Sequence, residues 1–88
     1  MRKSQHTPEY RILCTELRAA RDQAGLSQRD LAAHLKVPHS WVAKVETGER
    51  RIDLIEFCWF VAACGGDPLK ACDRVIRKTT KPHPAARS

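Results

Sequence analysis

The stretch LSQRDLAAHLKVPHSWVAKVETGERR, residues 26–51, constrains this chain more than any other. Two short helix-forming segments lie in it almost end to end, separated only by HLKVP. Ser27-Gln28-Arg29-Asp30 is a capping-box pattern with Asp in place of Glu, and Leu31, Ala32 and Leu35 follow on one face. Lys36-Val37-Pro38 ends that segment, because proline disfavours helical geometry at the residue before it and has no N–H of its own. The next helix is predicted from His39 to about Glu46. With His39 at zero and roughly 100° per residue, His39, Ser40, Ala43, Lys44 and Thr47 share an arc of roughly 140°. Trp41, Val42 and Val45 lie opposite, between roughly 200° and 300°. One side anchors in a core. The other combines small and hydrogen-bonding residues, as a helix needs if it is to enter a groove and meet base edges; an ordinary solvated face has the same arc.

The rest of the chain reads as three more helices. Thr7-Pro8-Glu9 supplies a capping hydroxyl and a proline at the first helical position, Tyr10, Leu13, Cys14 and Leu17 recur at helical spacing, and Gly25 ends the segment. Asp53-Leu54-Ile55-Glu56 is a D-x-x-E capping box opening LIEFCWFVAAC, which stops at Gly65-Gly66. Leu54, Phe57, Val61 and Cys64 form its expected core side, with Ile55, Trp59 and Ala62 as a second apolar stripe. A helix apolar all round is normally covered. Asp67-Pro68 begins the last helix, expected over residues 68–78, with Leu69, Cys72, Val75 and Ile76 as apolar members. The expectation is that this helix folds back over most of the stripe and leaves an edge for a second copy.

At 88 residues the chain has length for one small domain. No window of 18 or more apolar residues occurs, and MRKSQHTPEY has no apolar run behind its basic residues, so neither a membrane span nor a secretory signal is expected. A soluble, cytoplasmic, nucleoid-associated protein is the expectation. Cys14, Cys58, Cys64 and Cys72 fit no paired zinc spacing and no dense disulfide scaffold; they read as small buried apolar residues in a reducing compartment. His34 and His39 are separated by a turn, so no metal site is expected. No nucleophile-and-base arrangement stands out, which argues against an enzyme, and no cofactor is implied.

Residues 4–73 hold nine Lys/Arg and all ten Asp/Glu, while the first three and last fifteen residues add seven cations and no acid. Basic ends suit a polyanion such as nucleic acid, although a merely solvating tail has the same charge. Residues 1–7 are expected to be a flexible basic segment and 79–88 a disordered basic tail, with Lys78, Lys81 and Arg87 adding non-specific DNA affinity. Gln28 and Arg29 fall in the first turn of one short helix, where unsatisfied N–H groups suit a phosphate. Arg50 and Arg51 sit beyond the next, placed to clamp a second backbone segment. A groove-reading helix flanked by phosphate contacts is the division of labour of a helix-turn-helix.

Residues 17–64 resemble the phage repressor/Cro-type helix-turn-helix family, also called the Xre family, through L-R-x-x-R, G-L-S-Q-R-D-L-A and V-P-H-S-W-V-A-K-V-E-T-G-E-R-R-I-D. The resemblance implies an all-α fold, a compact five-helix bundle of lambda-repressor-like DNA-binding type with helices 2 and 3 as the helix-turn-helix over residues 8–78. It implies a sequence-specific regulator, usually a repressor, that binds operator DNA as a dimer. By the same resemblance Gln28 binds phosphate and braces the recognition helix. His39, Ser40, Ala43 and Lys44 face base pairs; Thr47, Arg50 and Arg51 contact the backbone, to which Arg29 is added by its place in the first turn of the second helix. Arg21 and Glu46 match a buried structural ion pair. Pro38 departs from the usual hydroxyl cap, and Trp41 is bulky for its place, expected as an anchor beneath the helix. Ile55, Trp59 and Ala62 are the candidate dimer surface. The alternative function is an antitoxin-type protein that holds a partner protein and binds its own promoter.

Overall fold

Side-chain capping explains where most of the helices begin in the computed structural model, which describes residues 7–79. The Thr7 hydroxyl accepts from the Tyr10 amide at 3.1 Å, opening α1 (Pro8–Gln23). Ser27 and Asp30 close a reciprocal capping box at 2.9 and 3.1 Å, opening α2 (Gln28–Leu35). After α3 (His39–Thr47), Asp53 and Glu56 form a second box at 2.7 and 3.0 Å before α4 (Leu54–Ala63). The last helix is α5 (Pro68–Thr79), and the described residues contain no strand.

Every helix contributes to one core. Leu17 of α1, Leu31 of α2, Val42 and Val45 of α3, Phe60 of α4 and Ala71 of α5 are wholly buried. Phe57, Val61 and Ala32 complete the cluster. Burying a Leu, Val or Phe side chain is worth about 1.5–3 kcal/mol, so these few contacts fix how the short helices stack.

Two expectations for α4 are corrected. Leu54 is 64% exposed rather than part of the core, because it sits in the first turn at the rim of the buried arc. Phe60, absent from the expected stripe, takes its place in the core. Nor does α5 cover the second stripe: Ile55 and Trp59 remain 55% and 61% exposed. Instead α5 lies against α1 and α4, held to α1 by Arg74, whose Nε and Nη2 donate to Glu16 Oε2 at 2.9 and 2.7 Å. Ala71, Cys72 and Val75 face inward, while Leu69 and Ile76 stay exposed.

Smaller differences concern the ends and the cysteines. The last helix runs one residue past its expected end, and the Thr79 hydroxyl donates to the Val75 carbonyl at 2.7 Å. Apart from Thr7 and Thr79, the expected basic N-terminal segment and tail lie outside the described residues. All four cysteines are unpaired thiols, but only Cys14 is buried; Cys58, Cys64 and Cys72 are half-buried, at the margin of the core rather than inside it.

Candidate nucleic-acid interface

The turn between α2 and α3 is made by three residues. Lys36 adopts the left-handed conformation (φ 59°, ψ 45°), which lets the Val37 amide reach back to the Ala32 carbonyl at 3.0 Å. Pro38 then starts α3 without a side-chain cap, as its lack of a hydroxyl requires. Val42 and Val45 drive that helix into the core, and Trp41 packs half-buried at its edge. His39, Ser40, Lys44 and Thr47 are left exposed, with Ala43 half-buried among them.

A carboxylate fixes the orientation of α3. Glu46 accepts from Arg21 Nε at 2.6 Å and Nη2 at 3.0 Å, and from Gln28 Nε2 at 3.0 Å. Arg21 Nη1 meanwhile donates to the Leu26 carbonyl at 2.9 Å. The side chains of Arg21 and Glu46 are 10% and 4% exposed, and the hydrogen bonds that the guanidinium donates to Glu46 hold its pKa above the ordinary value. Gln28 thus joins the start of α2 to the end of α3, while Arg29 beside it is exposed. Nearby, the buried Cys14 thiol donates to the Val45 carbonyl at 3.4 Å, and burial pushes its pKa up.

Beyond α3, Gly48 takes φ 84°, a conformation costly for any side chain, and reverses the backbone. The Arg50 amide donates to the Lys44 carbonyl at 3.0 Å. Arg50 and Arg51, expected from their spacing to clamp a phosphate backbone, are each given an internal support. Arg50 lies over the Trp41 ring at 5.1 Å and bonds Glu56 at 3.3 and 3.4 Å. Arg51 lies over the Tyr10 ring at 4.3 Å, and the Tyr10 hydroxyl accepts from the Ile52 amide at 3.2 Å. Burial raises the Tyr10 pKa, so the phenol stays protonated in that role. The exposed Thr47 hydroxyl donates to the Lys44 carbonyl one turn back at 3.1 Å.

These platforms carry no sequence signal of their own. Tyr10 and Trp41 read as helix-face residues, and their pairing with Arg51 and Arg50 appears only once α1, α3 and the following loop meet. The structure gathers Gln28, Arg29, the exposed side of α3 and the Arg50–Arg51 segment around the α2–α3 unit. Ile55, Trp59 and Ala62 are exposed along α4. Among the described residues no three His, Cys, Asp or Glu side chains are grouped to hold a metal ion, and no helix is long and apolar enough to cross a membrane.

A family model described as "Helix-turn-helix domain" matches residues 12–70. The solved structure of an XRE-family like protein from Pseudomonas syringae pv. tomato str. DC3000 is 40% identical to this chain, with a TM-score of 0.79. The match covers 89% of this chain and 95% of that one. No curated protein sequence is significantly similar to it.

Proposed function

The chain belongs to the XRE-type helix-turn-helix family of DNA-binding proteins, and on that premise we propose that it is a transcriptional repressor reading a pseudo-palindromic operator as a homodimer. The observation that carries this reading is the division of α3: Val42 and Val45 are fully buried, while His39, Ser40 and Lys44 stand exposed. A helix so anchored presents its outer side rigidly, as entry into a major groove requires.

In this reading Lys44 donates to guanine O6 or N7, His39 and Ser40 hydrogen-bond base edges, and Ala43 packs on a thymine methyl. Each contact discriminates by about 1–3 kcal/mol. Gln28 and Arg29 meet one phosphate segment at the start of α2. Thr47, Arg50 and Arg51 meet another, the arginines held ready by Trp41 and Tyr10. Ile55, Trp59 and Ala62 form the two-fold contact, placing two α3 helices roughly 34 Å apart. The protein acts in the cytoplasm, by binding and not by catalysis.

A second reading, an antitoxin-type protein holding a partner protein, is favoured by the same exposed apolar side of α4. Selection of bound sequences from a random duplex pool decides the primary reading. The expected result is an enriched motif with two-fold symmetry. Binding without enrichment would overturn sequence reading, and an enriched motif with no symmetry would overturn the homodimer.

A further inference from the structure

Arg50 is held by two helices at once. Its guanidinium lies over the Trp41 ring of α3 at 5.1 Å, while Glu56 of α4 accepts from Nη1 at 3.4 Å and from Nη2 at 3.3 Å. Nη1 also donates to the Arg51 carbonyl at 2.9 Å. Glu56 is itself fixed, because its Oε1 accepts from the Asp53 amide at 3.0 Å in the capping box that opens α4. A carboxylate that serves the helix start thus also sets where the arginine lies.

The geometry keeps Arg50 usable. A guanidinium carries five N–H groups in a rigid fork, and each two-pronged edge of it can meet a pair of oxygens. Glu56 takes the edge made by Nη1 and Nη2, so the edge made by Nε and Nη2 is the one that can meet a phosphate. The grip is also loose. Its 3.3 and 3.4 Å compare with about 2.7–2.9 Å for a tight charge-assisted bond, and the Arg50 side chain is 41% exposed. Glu56 therefore orients the cation without burying it.

We infer that Glu56 is a positioning residue for DNA binding: it orders Arg50 before DNA arrives, so that the Nε–Nη2 edge meets a backbone phosphate of DNA seated on α3. This rests on the DNA-binding reading above. A long side chain that is immobilised only on binding weakens association, and one already ordered escapes that loss. The carboxylate also repels phosphate, but it is only 22% exposed and faces Arg50, so the ordering outweighs the repulsion.

The test is a double-mutant cycle on duplex affinity, read by fluorescence anisotropy at fixed salt with the full chain. E56Q keeps the helix start, because Gln also closes a capping box, and removes only the charge beside Arg50. It should bind about 2- to 10-fold more weakly than the wild type, and add no further loss in an R50Q chain. D53A removes the other half of the box but keeps the backbone amide that Glu56 accepts from, so it should lower the melting temperature and leave affinity near wild type. E56Q binding as tightly as the wild type, or more tightly, would overturn the inference while leaving the DNA reading intact. An equal loss from E56Q in the R50Q chain, or from D53A, would overturn it too, by marking a merely structural role. R50Q binding like the wild type would remove Arg50 from the phosphate contacts and the inference with it, and a wild-type chain that binds no duplex would overturn the whole reading.

Discussion

Arg21 grips Glu46 through two parallel hydrogen bonds, Nε to Oε2 at 2.6 Å and Nη2 to Oε1 at 3.0 Å, so that α1 and α3 are joined at one buried carboxylate. Gln28 adds α2 to the same oxygen that Nη2 reaches. Three helices therefore share one polar knot, which holds α3 at a fixed angle to the core. Cutting one side leaves an uncompensated buried charge. Arg21→Ala or Glu46→Ala should each cost about 3–5 kcal/mol in urea unfolding. Replacing both with residues of similar size, as in R21M/E46L, should cost less than either. A loss under about 1 kcal/mol for Glu46→Ala would show that the knot does not hold the fold.

Lys36 occupies left-handed backbone without being glycine, the lone such case among the described residues. That conformation costs an ordinary residue about 1–2 kcal/mol, part of which glycine recovers despite its extra chain entropy. Lys36→Gly should stabilise the protein by about 0.5–1 kcal/mol, seen as a higher melting temperature. A lower melting temperature would mean that the Lys36 side chain makes a stabilising contact.

Three acidic groups are kept protonated by burial: Cys14, Cys64 and Tyr10, whose pKa values are all raised in the folded state. Their stabilising contribution is full below the ordinary values of 9.0 for the thiols and 10.0 for the phenol, and it is lost as pH rises through the raised folded values. Unfolding free energy should therefore decline on the alkaline side, above pH 9.0. The variant C14A/C64A should have a lower plateau but a shallower alkaline decline. An identical decline in the variant would remove the thiols from the explanation.

Trp59 and Ile55 are exposed by more than half, so removing them should change monomer stability by no more than about 0.5 kcal/mol. I55A/W59A should nevertheless sediment as a monomer at concentrations where the wild type is a dimer. A wild type that is monomeric at high concentration would exclude the two-fold contact on α4.

Much of this fold was legible in the sequence because its helix ends are chemically marked. Thr7-Pro8, the Ser27–Asp30 and Asp53–Glu56 boxes and Pro38 each leave a local signature that the structure reproduces. The direction of α4 was harder. Its residues are nearly all apolar, so periodicity could not separate Phe60, which is buried, from Leu54, which is not. Packing of α5 on α4 follows the sequence, but its failure to cover Ile55 and Trp59 does not, because its attachment to α1 depends on Arg74 and Glu16, 58 residues apart. The exposed side of α3 was visible from spacing alone, whereas the aromatic supports of Arg50 and Arg51 come from how α1, α3 and the following loop pack together.

The most direct measurement is the base preference of variants on the exposed side of α3, obtained by binding the selected duplex and its single-base substitutions at fixed salt. Lys44→Ala should lose about 1–3 kcal/mol on the preferred site and become indifferent to the base at one position of each half-site. Arg29→Gln should weaken all duplexes alike and keep their order. If Lys44→Ala, Ser40→Ala and His39→Ala all rank the duplexes as the wild type does, α3 is not the reading helix.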